Sequence, residues 1–80
     1  MERIITYDLK HKDSDDYQKL YNVFTSLNAK QLTESTYVIN TSLSQKDIIN
    51  KIKSTIYPDD IVYYISVDSE THKIFYIKIS

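Results

Sequence analysis

The sequence predicts a small α+β domain in which two amphipathic helices cover one face of an antiparallel sheet. Three observations predict it. Apolar residues recur at helical spacing in two separated stretches. The segments before, between and after them alternate as strands do. The chain of 80 residues and 9.5 kDa has room for a single hydrophobic core, so residues 1–80 form one domain.

Residues 2–9 set Arg3, Ile5, Tyr7 and Leu9 against Ile4, Thr6 and Asp8. Apolar side chains fall on both faces, the pattern of a central strand partly covered on each side. Lys10, His11, Lys12 and Asp13 make a polar loop. Asp13 or Ser14 then caps a helix, and Asp15 and Asp16 in its first turn suit the positive end of its dipole. Tyr17, Leu20, Tyr21, Phe24 and Leu27 form its core-facing stripe. Asn28 is expected to stop it in the left-handed region.

Residues 30–40 read as extended, with Thr33, Glu34 and Ser35 allowing a break or bulge. Ser44 and Asp47 approximate a capping box, and Leu43 and Ile48 the hydrophobic staple around it. Ile49, Ile52 and Ile56 continue a buried helical face that Pro58 is expected to end. Residues 61–67 are a strand with apolar side chains on both faces except at Ser66. A turn over 68–72 and a final strand over 73–79 complete the chain. The order is βαβαββ, or βαββαββ if the stretch 30–40 breaks. At this length, right-handed crossovers lead to a ferredoxin-like sandwich with both helices on one sheet face.

Composition narrows the functions. There is no Gly, which removes every glycine-dependent phosphate cradle, and turns needing positive φ must use Asn or Asp. There is no Cys, hence no disulfide framework, thiol nucleophile or zinc knuckle. A net charge of −1 argues against a surface that grips nucleic acid everywhere, though not against a local site. No apolar run reaches the ~18 residues of a membrane span and no signal-peptide pattern is present, so no membrane partner and a cytoplasmic location are expected.

Asp8 is the most suggestive residue, an acid at the end of the first strand just before a loop. It is placed to hold a divalent cation or act as a base, or simply to accept hydrogen bonds from loop amides. Lys10, His11 and Lys12 form a small cationic loop beside it, a candidate phosphate contact or an ordinary solvated loop. Asp13, Asp15 and Asp16 are accounted for by helix capping, and Lys46, Lys51 and Lys53 by the outer face of the second helix. No Ser or His has the base and orienting group of a catalytic triad, so covalent catalysis has no support. Eight Tyr and twelve Ile suit a sheet-rich chain. Strand tyrosines on the helix-free face lack the interleaved Lys and Arg of a base-stacking platform and fit a homodimer interface better. Tyr63, Tyr76 and Ile77 are its candidate residues.

A family resemblance rests on the strand Ile4-Ile5-Thr6-Tyr7-Asp8-Leu9 and the helix with Asp16-Tyr17 and Leu20-Tyr21. It extends through the stretch from Thr33 to Ile39, the helix start Leu43-Ser44-Gln45, and Asp59-Asp60-Ile61-Val62. With these the chain resembles the small SinR family proteins, which are similar to the small ferredoxin-like subunit of the CRISPR spacer-acquisition complex. The resemblance implies two protomers packed sheet to sheet, with the C-terminal strand extending the partner's sheet. It also implies that Asp8 matches the metal-binding aspartate of the family's nucleases, so that two copies would share a Mg²⁺-type ion that activates water for phosphodiester hydrolysis. Asp15, Asp16 and Tyr17 stand where that family has an Arg-rich helix start, and Ser35-Thr36-Tyr37 where it has Ser-Val-Phe.

The sequence therefore leads to a non-catalytic, homodimeric module without a cofactor that binds a protein or nucleic-acid partner. An adaptor, a toxin–antitoxin component or a phage- or defence-related role would each fit. The alternative is a metal-dependent endonuclease working through Asp8 with Mg²⁺.

Overall fold

The computed structural model describes residues 2–10 and 14–79. Its elements are β1 (Glu2–Asp8), α1 (Ser14–Ser26), β2 (Lys30–Thr33), β3 (Thr36–Ile39), α2 (Gln45–Lys53), β4 (Ile61–Val67) and β5 (Ile74–Lys78). The order is therefore βαββαββ and not βαβαββ, because the extended stretch 30–40 breaks into two strands. The break falls at Glu34 and Ser35, and the β2–β3 register shifts between Gln31 and Thr33. Three consecutive polar residues there favour a tight turn over a continuous strand.

All five strands lie in one antiparallel sheet of order β2-β3-β1-β4-β5. β1 is central, pairing Ile5 with Tyr37 of β3 on one side and with Tyr64 of β4 on the other. With two helices, the architecture is consistent with a ferredoxin-like sandwich.

One hydrophobic cluster unites the molecule. Ile5 and Tyr7 of β1, Ile39 of β3 and Val62 and Tyr64 of β4 share one sheet face and are buried against both helices. α1 contributes Leu20, Phe24 and Leu27, and α2 contributes Ile48 and Ile52. Each buried aliphatic or phenyl side chain of this kind is worth about 1.5–3 kcal/mol over exposure. Leu20, Phe24, Leu27 and Ile52 lie in the core as their spacing predicts, whereas Ile49 and Ile56 are only partly buried. Two aromatic expectations are corrected. Tyr17 is half-buried, packed against the core, and Tyr21 lies at the surface, where its ring stacks on that of Tyr17 at 6.0 Å.

The helix boundaries follow local chemistry. The Ser44 hydroxyl accepts the amide of Asp47 at 3.2 Å, an N-cap with Asp47 in the first turn and Lys51 and Lys53 in the last. α2 ends at Lys53, with Ser54 as its C-cap, five residues before Pro58; Ser54 and Thr55 turn their hydroxyls back onto the carbonyls of Lys51 and Ile52. Asn28 adopts φ 52° after α1, as a chain without Gly requires. His72 takes φ 58° in the β4–β5 turn, where only Asn or Asp was anticipated. That turn is held by Asp68, whose carboxylate accepts the amides of Glu70 and Thr71, which hold its carboxyl below the usual range. Asp13 lies outside the described residues, so the start of α1 is not assigned a cap. Replacing the Ser44 cap by Ala is expected to cost about 1 kcal/mol of stability. Urea unfolding checks this, and an unchanged midpoint would contradict it.

Candidate functional site

Two regions of the surface stand out, one at an edge strand and one at the end of the central strand. The first is β5. It is an edge strand, paired with β4 alone. Edge strands are normally blunted by charges, Pro or a covering element. Here the strand reads Ile74-Phe75-Tyr76-Ile77-Lys78, and its apolar residues are exposed by 65%, 55%, 71% and 38% in turn.

The register divides these residues between faces. Ile77 pairs with Tyr64 and Phe75 with Ser66, so both lie on the helix side, where β5 runs past the cover that the helices provide. Tyr76 pairs with Ile65 and Ile74 with Val67, on the helix-free side. Tyr63 shares that side and meets Tyr76 edge-on at 6.1 Å. Of the expected interface residues, Tyr63 and Tyr76 are thus brought together, while Ile77 is displayed on the opposite face of the same strand. The helix-free face continues through Ile65 and Val67 of β4, Ile4 of β1 and Val38 of β3, all half-buried. Thr6 and Thr36 interrupt it with hydroxyls 3.3 Å apart.

The second region is the C-terminal end of β1. Asp8 is exposed there, and its carboxylate lies 3.8 Å from the Lys10 ammonium. An exposed pair of this kind contributes little to stability. No group of three or more His, Asp or Glu side chains able to hold a metal occurs among the described residues. His11 and Lys12, the rest of the expected cationic loop, lie outside the described residues.

Asp8 does border a pocket of about 460 Å³. Tyr7, Tyr17 and Tyr21 line it together with Gln31 and Glu34 from the β2–β3 hairpin. Tyr37 stacks on Phe24 at 4.2 Å behind these rings and approaches Tyr7 and Tyr21 at 6.3 and 6.4 Å. The Tyr7 hydroxyl donates to the carbonyl of Glu34 at 2.9 Å, tying the central strand to the hairpin turn. Burial pushes the Tyr7 phenol well above its ordinary value, and burial raises that of Tyr37 as well.

Two polar residues that the sequence reading did not single out shape these surfaces. Asp60 is 3% exposed, and its carboxylate accepts the amide of Lys10 at 2.7 Å and of Tyr57 at 2.8 Å. It thereby clamps the loop after β1 to the turn before β4. Arg3, on the core side of β1, donates through Nη1 to the carbonyl of Leu43 at 2.7 Å and through Nη2 to that of Thr41. Its parity with Ile5 and Tyr7 was the available signal: a cation on a core face needs carbonyls or carboxylates to receive it.

Comparison with protein-family models, with curated proteins and with solved structures finds no match.

The raised Tyr7 value has a consequence for stability. The folded state holds the phenolic proton more tightly than the unfolded chain does. Stability from this group is therefore complete below pH about 10, the value of a free phenol, and falls as pH rises above it. Chemical denaturation between pH 9 and pH 11 (roughly one unit either side of that value) should show this decline. Tyr7→Phe should flatten it, and an equally steep decline in the variant would refute the assignment.

Proposed function

We propose that the chain is a non-catalytic, ferredoxin-like dimerisation module, in which a second copy pairs with the β5 edge of the sheet and the assembled pair presents a surface to a protein partner. The observation that carries the reading is the run of four exposed apolar residues on an unprotected edge strand. A second copy fits because the edge complements itself. In an antiparallel pairing centred on Tyr76, Phe75 meets the partner's Ile77 and Ile74 meets the partner's Lys78, with no like charges opposed.

Hydrogen exchange tests the pairing. The Ile79 amide bonds to the Val62 carbonyl at 2.8 Å, so ladder alternation turns the amides of Ile74, Tyr76 and Lys78 away from β4. They should exchange slowly at high protein concentration and quickly on dilution. Fast exchange at both concentrations would overturn a β5-mediated dimer.

The same reading expects no phosphodiester cleavage. A phosphoryl-transfer site needs a metal and cationic groups at the developing charge, and losing one such donor costs about 10²–10³ in rate. At the end of β1 the described residues offer Asp8 and Lys10, already paired with each other. Labelled single- and double-stranded DNA and RNA should remain intact with Mg²⁺ or Mn²⁺. Metal-dependent cleavage by the wild type that is lost in Asp8→Asn would establish the nuclease reading instead.

A further inference from the structure

The pocket at the end of β1 is separate from the β5 edge and has its own chemistry. Its volume of about 460 Å³ falls within the ~300–1,000 Å³ typical of small-molecule sites. Three of its lining residues are tyrosines, and two more are the carboxylates Asp8 and Glu34. No Lys or Arg is among the described residues that line it, and the ammonium of Lys10 lies 3.8 Å from the Asp8 carboxylate. Aromatic faces are electron-rich and attract cations, the more so where water is excluded. Anionic ligands would meet two carboxylates with no opposing charge among the lining residues, and an uncharged apolar ligand would gain nothing from the Glu34 carboxylate.

We propose that this pocket binds a small organic cation with an alkylammonium head, seated against Tyr17 and Tyr21 and balanced by Glu34, with the Asp8 carboxylate shared with Lys10. The Tyr7 hydroxyl is already committed to the Glu34 carbonyl, so it acts as a wall and holds the hairpin turn in place. Tyr21 and Glu34 are exposed, which lets them be replaced with little effect on the core.

The test uses choline chloride as the probe, with sodium chloride at matched ionic strength as the reference. Amide NMR shifts of Gln31 and Ser35, which line the pocket, report occupancy. Choline should give a saturable shift that sodium does not. Its uncharged isostere, 3,3-dimethylbutan-1-ol, should bind about tenfold more weakly, since it keeps the shape and loses the charge. Tyr21→Leu and Glu34→Gln should each weaken choline binding several-fold while the amide spectrum of the core is preserved. The proposal is overturned if choline gives no saturable shift, if the isostere binds as well as choline, or if both variants bind choline like the wild type.

Discussion

Replacing Tyr76 by Glu is expected to convert the protein from a dimer to a monomer without unfolding it. Tyr76 is the most exposed of the apolar residues on β5 and lies at the centre of the self-complementary pairing. A carboxylate there would face its own symmetry mate across the axis, and like charges directly opposed on paired strands destabilise them. In the isolated chain the same side chain is largely in water, so the fold should tolerate the change. Circular dichroism should be unchanged while the sedimentation coefficient falls to that of a 9.5 kDa particle. An unaltered dimer would place the interface elsewhere. Loss of secondary structure would show instead that β5 needs Tyr76 for the fold, and Ile74→Lys, which sets a second ammonium against the partner's Lys78, would then repeat the test.

Phe24→Ala has the largest expected effect on stability. Phe24 is fully buried on α1, stacks on Tyr37 at 4.2 Å and meets Tyr7 at 5.8 Å. Truncating a buried phenyl ring costs about 3–5 kcal/mol through lost transfer energy and the cavity left behind. A domain of this size has a total stability of roughly 4–12 kcal/mol at 0.05–0.15 kcal/mol per residue. The variant should therefore be partly or wholly unfolded at 37 °C, with its thermal midpoint well below that of the wild type. A midpoint within a few degrees of wild type would mean that the α1 stripe is not the main anchor of the core.

The fold was legible where periodicity and capping agree. Leu20, Phe24 and Leu27 announce α1 by spacing, Ser44 with Asp47 fixes the start of α2, and residues 61–67 coincide with β4. Pattern failed where the deciding energy is not periodic. The break between β2 and β3 depends on turn chemistry at Glu34 and Ser35, and α2 stops at the Ser54 cap, well before Pro58. Tyr17 and Tyr21 satisfy the helical stripe, yet Tyr17 is only partly buried and Tyr21 is exposed, because amphipathic rings can flank a core and remain partly wet.

The candidate sites divide in the same way. Exposure of β5 depends on strand order, because the run Ile74 to Ile77 would be core in a central strand and becomes surface only at an edge. Alternation already sets Ile77 on the opposite face from Tyr76, so grouping Ile77 with Tyr63 and Tyr76 departs from the period of two, and the register puts Ile77 on the helix side. The tyrosine pocket joins α1, β1 and the β2–β3 hairpin, residues up to 28 positions apart, and such long-range proximity leaves no local trace. Asp60 is similar: its two amide partners, Lys10 and Tyr57, meet only in the folded chain.

Self-association through β5 is the central claim, and sedimentation equilibrium at micromolar concentration tests it most directly. The account predicts a mass of about twice 9.5 kDa that falls toward the single-chain value on dilution. A mass of 9.5 kDa throughout the micromolar range would contradict it.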